Sequence, residues 1–157
     1  MNRTKGLPAR YSQAGFTLIE LLVVIAIIGI LSSIVLASLN TARGKGNDAK
    51  VKAQLAGLRA AAEVYYDTNG YYDTVASDSC TDPVPDFFED PDSGMLQYTT
   101  QTNYPTGADL SCRTDGTAYA VSALLPGAGG TNSWCVDSAG SSKTEGAALG
   151  AGIVVCP

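Results

Sequence analysis

The chain has 157 residues, ten Lys and Arg against fifteen Asp and Glu, a formal charge of −5 and no histidine. That length suits one domain, and the lack of imidazole excludes His-based general bases, Ser-His-Asp and Cys-His nucleophile pairs, and imidazole metal sites. Charged residues make up only 16% of the chain, against roughly 25% in an average soluble domain, and they are unevenly placed.

Residues 1–15 hold Arg3, Lys5 and Arg10 with no acid. Residues 16–39 read FTLIELLVVIAIIGILSSIVLASL, with Glu20 as the one ionisable side chain. As a helix this run covers about 36 Å, enough to cross a hydrocarbon core of about 30 Å. The basic residues before it predict an N-terminus held in the cytoplasm, with the rest of the chain outside. A cleaved secretory signal would share the basic start and the apolar run, with Val35, Leu36 and Ala37 as its cleavage site. Two features oppose that reading. The run exceeds the roughly 7–15 residues usual in such a signal. A carboxylate such as Glu20 costs about 2.5–3.5 kcal/mol deep in a bilayer, and a disposable segment has no reason to keep it.

Gly15, Phe16, Thr17, Leu18, Ile19 and Glu20, placed at the start of this run, resemble the processing motif of type IV prepilins and type II secretion pseudopilins. The resemblance implies cleavage by a prepilin peptidase between Gly15 and Phe16, with N-methylation of Phe16. It also implies that Glu20 is the family's fifth-position acid, which sets register during assembly. A carboxylate buried among apolar helices needs a counter-charge and hydrogen bonds. The amine freed at Phe16 of a neighbouring subunit supplies both. Close likeness extends from residue 1 to about residue 72, and the remainder resembles pilins only in general plan. Residues 1–15 are then the leader peptide. Residues 16–68 form the long N-terminal helix, with 16–39 as its transmembrane and filament-core part. Residues 69–157 form a globular, disulfide-stapled head.

No proline lies between Pro8 and Pro83, which permits one very long helix. Beyond residue 39, Val51, Leu55, Leu58, Ala62 and Tyr65 recur at helical spacing and predict an apolar stripe facing a sheet. Gly44 and Gly46 are the weak point, each costing about 1 kcal/mol relative to Ala inside a helix, so a bend or frayed turn is expected there. Asn69 and Gly70 read as the C-terminal stop. Arg43, Lys45, Lys50, Lys52 and Arg59 form a basic stretch. It is read as facing the acidic heads of neighbours, since five charges so spread are a weak nucleic-acid signal.

Beyond residue 59 only Arg113 and Lys143 oppose thirteen acids, which argues against sequence-independent nucleic-acid binding. Tyr65, Tyr66, Tyr71 and Tyr72 read as amphipathic anchors between helix and head. Residues 77–116 read as a long loop region. Strands are expected over residues 116–125 and 133–137, with 152–155 as a third candidate. The fold class is therefore α+β: a long N-terminal helix packed on a small antiparallel sheet of three or four strands, like a type IV pilin. Cys80, Cys112, Cys135 and Cys156 lie on the exported side, where thiols oxidise. Three pairings are open. Cys80 with Cys112 and Cys135 with Cys156 is the favoured one, because each bond closes a single loop. CxxC spacing for zinc is missing. Asp86, Glu89, Asp90 and Asp92 are weak calcium candidates, but EF-hand spacing is lacking and a solvated acidic loop is the plainer reading, so no cofactor is expected.

No nucleophile–base pair and no phosphate-binding loop stands in the sequence, so it is read as a non-enzyme. The first reading is a type IV pilus subunit that polymerises through its N-terminal helix for adhesion or motility. Alternatives are a type II secretion pseudopilin and a minor or competence pilin that binds DNA or a surface ligand. Implied partners are further copies of the chain, the prepilin peptidase, and the pilus or secretion assembly machinery. The expected location is the inner membrane, single-pass with the head outside, then an extracellular pilus or a periplasmic pseudopilus.

Overall fold

The computed structural model describes residues 15–81 and 87–157. Six elements follow in order: α1 (Leu18–Asn69), α2 (Met95–Thr99), β1 (Leu110–Thr114), β2 (Tyr119–Leu124), β3 (Ser133–Asp137) and β4 (Ser142–Glu145). Three 3₁₀ turns, Phe87–Glu89, Gln101–Asn103 and Pro126–Ala128, lie between them. The class is α+β and pilin-like: a long N-terminal helix followed by a four-stranded antiparallel sheet in the order β1-β2-β3-β4. By contacts the chain divides into two units, Met1–Ser38 and Leu39–Pro157.

Helix α1 is unbroken through Gly44 and Gly46, where a bend or frayed turn was expected. The glycine cost is offset by a close backbone approach. A Cβ added to Gly127 would lie 2.3 Å from the Gly44 carbonyl, and one added to Gly44 would lie 2.9 Å from Gly127 Cα. One turn further on, Asp48 accepts the Gly127 N–H at 2.7 Å. The Pro126–Ala128 turn thus seats directly on the helix backbone, which only glycine permits. The helix stops at Asn69. Gly70 takes φ +79° and donates its N–H to Tyr66 O at 2.7 Å, a left-handed C-cap.

Within the second unit, Val51, Leu55, Leu58 and Ala62 have no exposed surface, and Tyr65 and Ala61 are buried beside them. They pack with Tyr72, Phe87, Met95, Cys112, Tyr119, Val121, Ala123 and Val136 in one core. Tyr72 joins the layers, with its ring 5.4 Å from Phe87 and 4.8 Å from Tyr119.

The sheet is covered on both faces. Alternation sends Tyr119, Val121 and Ala123 of β2 to the main core, and sends Ala120 to a smaller cluster with Cys135, Leu149 and Cys156. Residues 146–157 lie over this second face as a strap. The Leu149 N–H binds Ser122 Oγ at 3.1 Å, and the Ser133 hydroxyl donates to Ala147 O at 2.6 Å.

Three expectations need correction. Residues 152–155 are not a strand. Gly152 takes φ +67°, which a strand does not, and their apolar character serves the strap. The last strand is instead β4, whose Ser-Lys-Thr-Glu sequence shows no apolar alternation because it is a mostly exposed edge. Residues 77–116 are not one long loop, since they contain α2, two 3₁₀ turns and β1. The strand expected over 116–125 starts only at Tyr119. Asp115 Oδ1 caps a turn there, accepting the N–H groups of Thr117 at 2.9 Å and Ala118 at 2.8 Å.

Candidate assembly site

Two parts of the chain carry the candidate residues, and each is described by itself. The first begins at Gly15. All its large apolar side chains are exposed: Phe16 by 90%, Leu18 by 76%, Ile25 by 55% and Leu39 by 43%. This half of α1 is long and apolar enough to cross a membrane. A continuous exposed apolar surface of this size is stable only against lipid or other protein.

Glu20 lies in the first turn of the helix. One of its oxygens accepts the Thr17 N–H at 2.8 Å and the Thr17 hydroxyl at 2.6 Å. Thr17 Oγ1 in turn accepts the Glu20 N–H at 3.3 Å. This is a capping box, in which a Thr and a Glu three residues on satisfy each other's helix-end donors. Thr17, which the sequence offers only as a residue of the processing motif, is the other half of this box. The T-x-x-E spacing before an apolar run is the signal that reveals it. Gly15 and Phe16, the residues of the expected cleavage, precede the helix and are exposed. Residues 1–14 of the expected leader lie outside the described residues.

The second part is the head. Cys80–Cys112 and Cys135–Cys156 are disulfides, with Cα atoms 5.0 and 5.8 Å apart. They serve opposite faces of the sheet: Cys112 belongs to the main core, and Cys135 and Cys156 to the strap side. Arg113 and Lys143, the two cations beyond residue 59, both fasten the strap. The Arg113 guanidinium donates to Gly150 O at 2.9 Å and Leu149 O at 3.2 Å, and pairs with Asp78 at 3.2 Å. Lys143 donates to Pro157 O and pairs with Glu145 at 3.3 Å.

Asp137 is buried at the end of β3. It accepts the Cys156 N–H at 2.9 Å and the Ser141 N–H at 2.8 Å. Burial pushes its carboxyl up, but these hydrogen bonds outweigh burial and hold it below the usual aspartate value.

The basic stretch of α1 splits by environment. The Lys52 ammonium sits 4.5 Å from the centre of the Trp134 ring. Arg59 is half-buried against the turn between β3 and β4, with a guanidinium nitrogen 3.6 Å from where a Cβ on Gly140 would sit. Arg43, Lys45 and Lys50 are exposed.

Of the calcium candidates, Glu89 ends a 3₁₀ turn, and Asp90 spends one oxygen on the Ser93 N–H at 2.7 Å. Asp92 is exposed, and Asp86 lies outside the described residues. Among the described residues no three His, Cys, Asp or Glu side chains converge on one point.

Residues 10–36 match a family model described as the prokaryotic N-terminal methylation motif. Over 65 residues the chain is 42% identical to a type II secretion system core protein G of Klebsiella michiganensis, covering 41% of this chain and 46% of that protein. It is 47% identical over 58 residues to the type IV wide pilus major component PilA4 of Thermus thermophilus, covering 37% of this chain and 44% of that protein. It is 39% identical over 62 residues to the core protein G of Escherichia coli, covering 40% and 43%. The matches thus span less than half the length of these relatives. No solved structure matches the chain. The N-terminal part of the chain is thus similar to that of type IV pilins and type II secretion pseudopilins, and the fold is α+β and pilin-like in plan.

Proposed function

We propose that the chain is the subunit of a type IV pilus, cut between Gly15 and Phe16 by a prepilin peptidase, N-methylated at Phe16, and polymerised through its N-terminal helix. The observation that carries this reading is the first half of α1, where every large apolar side chain is exposed behind a methylation motif. Before assembly that surface sits in the inner membrane, with the head outside. During assembly it transfers from lipid to the apolar helices of other copies, and the burial of apolar area holds the filament together. A head closed by two disulfides suits exposure outside the cell, where reinforcement by oxidation is available. Adhesion or motility follows from such a filament.

Glu20 has a defined task in this scheme. In the single chain it is satisfied by Thr17. Cleavage creates a cationic amine at Phe16. Inside a filament Glu20 pairs with that amine on a neighbour, so two charges that would each be costly in an apolar core enter it together. The pair can form only in one register, which gives otherwise non-directional apolar packing a fixed stagger.

The second reading is a type II secretion pseudopilin, which the names of several similar relatives favour. It keeps the same processing and helix packing, and places a short filament in the periplasm.

Substituting Glu20→Ala tests the scheme. The variant should still be cleaved at Gly15 and accumulate in the membrane, yet yield no filaments by electron microscopy of sheared material. Normal filaments from Glu20→Ala would contradict the register role.

A further inference from the structure

We propose that the strap over residues 146–157 is a redox-sensitive latch that needs both disulfides: Cys80–Cys112, on the helix side of the sheet, holds the strap shut on the other side through Asp78 and Arg113. The inference concerns the head alone and does not rest on the filament reading.

The strap has a small apolar hold on the sheet. Leu149 and Cys156 are buried, while Ile153 and Val155 are exposed. Its closure therefore depends on its other fastenings. The end of the strap is tied by the Cys135–Cys156 bond. Its middle is tied at β1, an edge strand of the sheet.

Strand alternation turns Cys112 to the main core and the next residue, Arg113, to the strap. The Arg113 side chain is only 14% exposed. It donates to two strap carbonyls, Gly150 O and Leu149 O, and to Asp78 O at 2.6 Å. Among the described residues its counter-charge is the Asp78 carboxylate. The same carboxylate accepts the strap's Gly152 N–H at 2.7 Å. Asp78 and Arg113 thus hold each other, and each holds the strap. A largely buried guanidinium that loses its carboxylate is an uncompensated charge, and the water it then draws in enters under the strap.

Asp78 owes its position to its neighbours. Its side chain is 49% exposed, and an ion pair so open is worth little unless its geometry is fixed. One residue before it, Ser77 makes a bridge with Thr114 through two hydrogen bonds of 2.9 Å. Two residues after it, Cys80 is bonded to Cys112. Bridge and disulfide together pin Asp78 beside Arg113, and opening Cys80–Cys112 removes the covalent half of that pin. Such coupling is reciprocal, so each disulfide is harder to reduce while the other is closed. Outside the cell both bonds close and the strap is shut. In reducing surroundings the loss of either bond loosens it and bares Ala120, Ser122 and Cys135, which have no exposed surface when it is closed.

Hydrogen exchange of the full-length, detergent-solubilised chain tests this, with mass spectrometry reading residues 146–157 and, as a control, the α1 stripe around Leu55. Cys80→Ser with Cys112→Ser should speed strap exchange about tenfold while Cys135–Cys156 stays closed. Dithiothreitol reduces Cys135–Cys156 by passing two electrons and two protons to it, which leaves two thiols and the cyclic disulfide of the reagent. The ratio of reduced to oxidised dithiothreitol that half-reduces this bond should fall about tenfold in the same variant. Arg113→Gln, with both disulfides present, should speed strap exchange and leave the stripe unchanged. Unchanged strap exchange in Arg113→Gln overturns the proposal, as does an unchanged dithiothreitol ratio in the Cys80/Cys112 variant, and the strap then rests on Cys135–Cys156 alone. If the Cys80/Cys112 variant also loses protection in the stripe, its head has come apart and Arg113→Gln decides: acceleration confined to the strap supports the latch, and equal acceleration in the stripe overturns it.

Discussion

The first half of α1 and the head treat large apolar side chains in opposite ways. Leu31 and Ile34 are exposed by 57% and 62%, whereas Leu55 and Leu58 on the same helix have no exposed surface. The head closes its own core, with a sheet on one side of the helix stripe and a strap over the sheet's far face. The apolar half closes nothing, so its stability is borrowed from a bilayer or from other copies. Division of labour follows from this. Under the proposed function, changes in the head act on folding, and changes in the apolar half act on insertion and assembly.

The largest effect that sharpens this contrast is Leu55→Ala. It should destabilise the head by about 2–5 kcal/mol, because the cavity cannot collapse in a packed core. Leu31→Ala should leave the head's melting temperature unchanged. Thermal melts of the detergent-solubilised chain check both, and equal effects would break the contrast.

Next is the double substitution Cys135→Ser with Cys156→Ser. Loss of the bond should cost about 3 kcal/mol in the chain-entropy model. Among the described residues the buried apolar cluster on the strap side is Ala120, Cys135, Leu149 and Cys156, so residues 146–157 should become protease-sensitive well before the helix side does. Limited proteolysis followed by mass spectrometry reads this out. The smallest effect is Asp137→Asn, about 1 kcal/mol at neutral pH. The folded carboxyl lies below its ordinary value near 3.9. Its contribution is therefore complete above about pH 4 and lost as pH falls through the folded value. Acid titration of stability should show that limb in the wild type and a flatter one in Asp137→Asn.

The helix was legible because its signals are strong and local. Val51, Leu55, Leu58, Ala62 and Tyr65 repeat at one period, and Asn69-Gly70 is a stop that depends on no distant residue. Its continuity at Gly44 was not legible, since the cause, Gly127, is 83 residues away. The sheet was legible where apolar residues alternate, as in β2 and β3, with Ser133–Asp137 standing as read. It failed at β1 and β4. There the strands are held by register with neighbours, Cys112 opposite Val121 and Lys143 opposite Cys135, rather than by their own composition. The strap misled for the converse reason. Its Ile153, Val154 and Val155 have strand composition, but its backbone is tied by side chains: Asp78 accepts the Gly152 N–H at 2.7 Å, and Asp137 the Cys156 N–H. At the candidate assembly site, Glu20 stood out as a lone charge in an apolar run. Its partner Thr17 was legible in the T-x-x-E spacing, but that spacing was counted only as part of the processing motif.

The most direct test of the filament account is the intact mass of material sheared from whole cells. The account predicts a dominant species that begins at N-methyl-Phe16 and lies four hydrogens below the reduced mass, the signature of an exported subunit with both disulfides closed. A processed species found only in the membrane fraction, with none in the sheared material, would contradict the exported pilus and leave the periplasmic pseudopilin reading in its place.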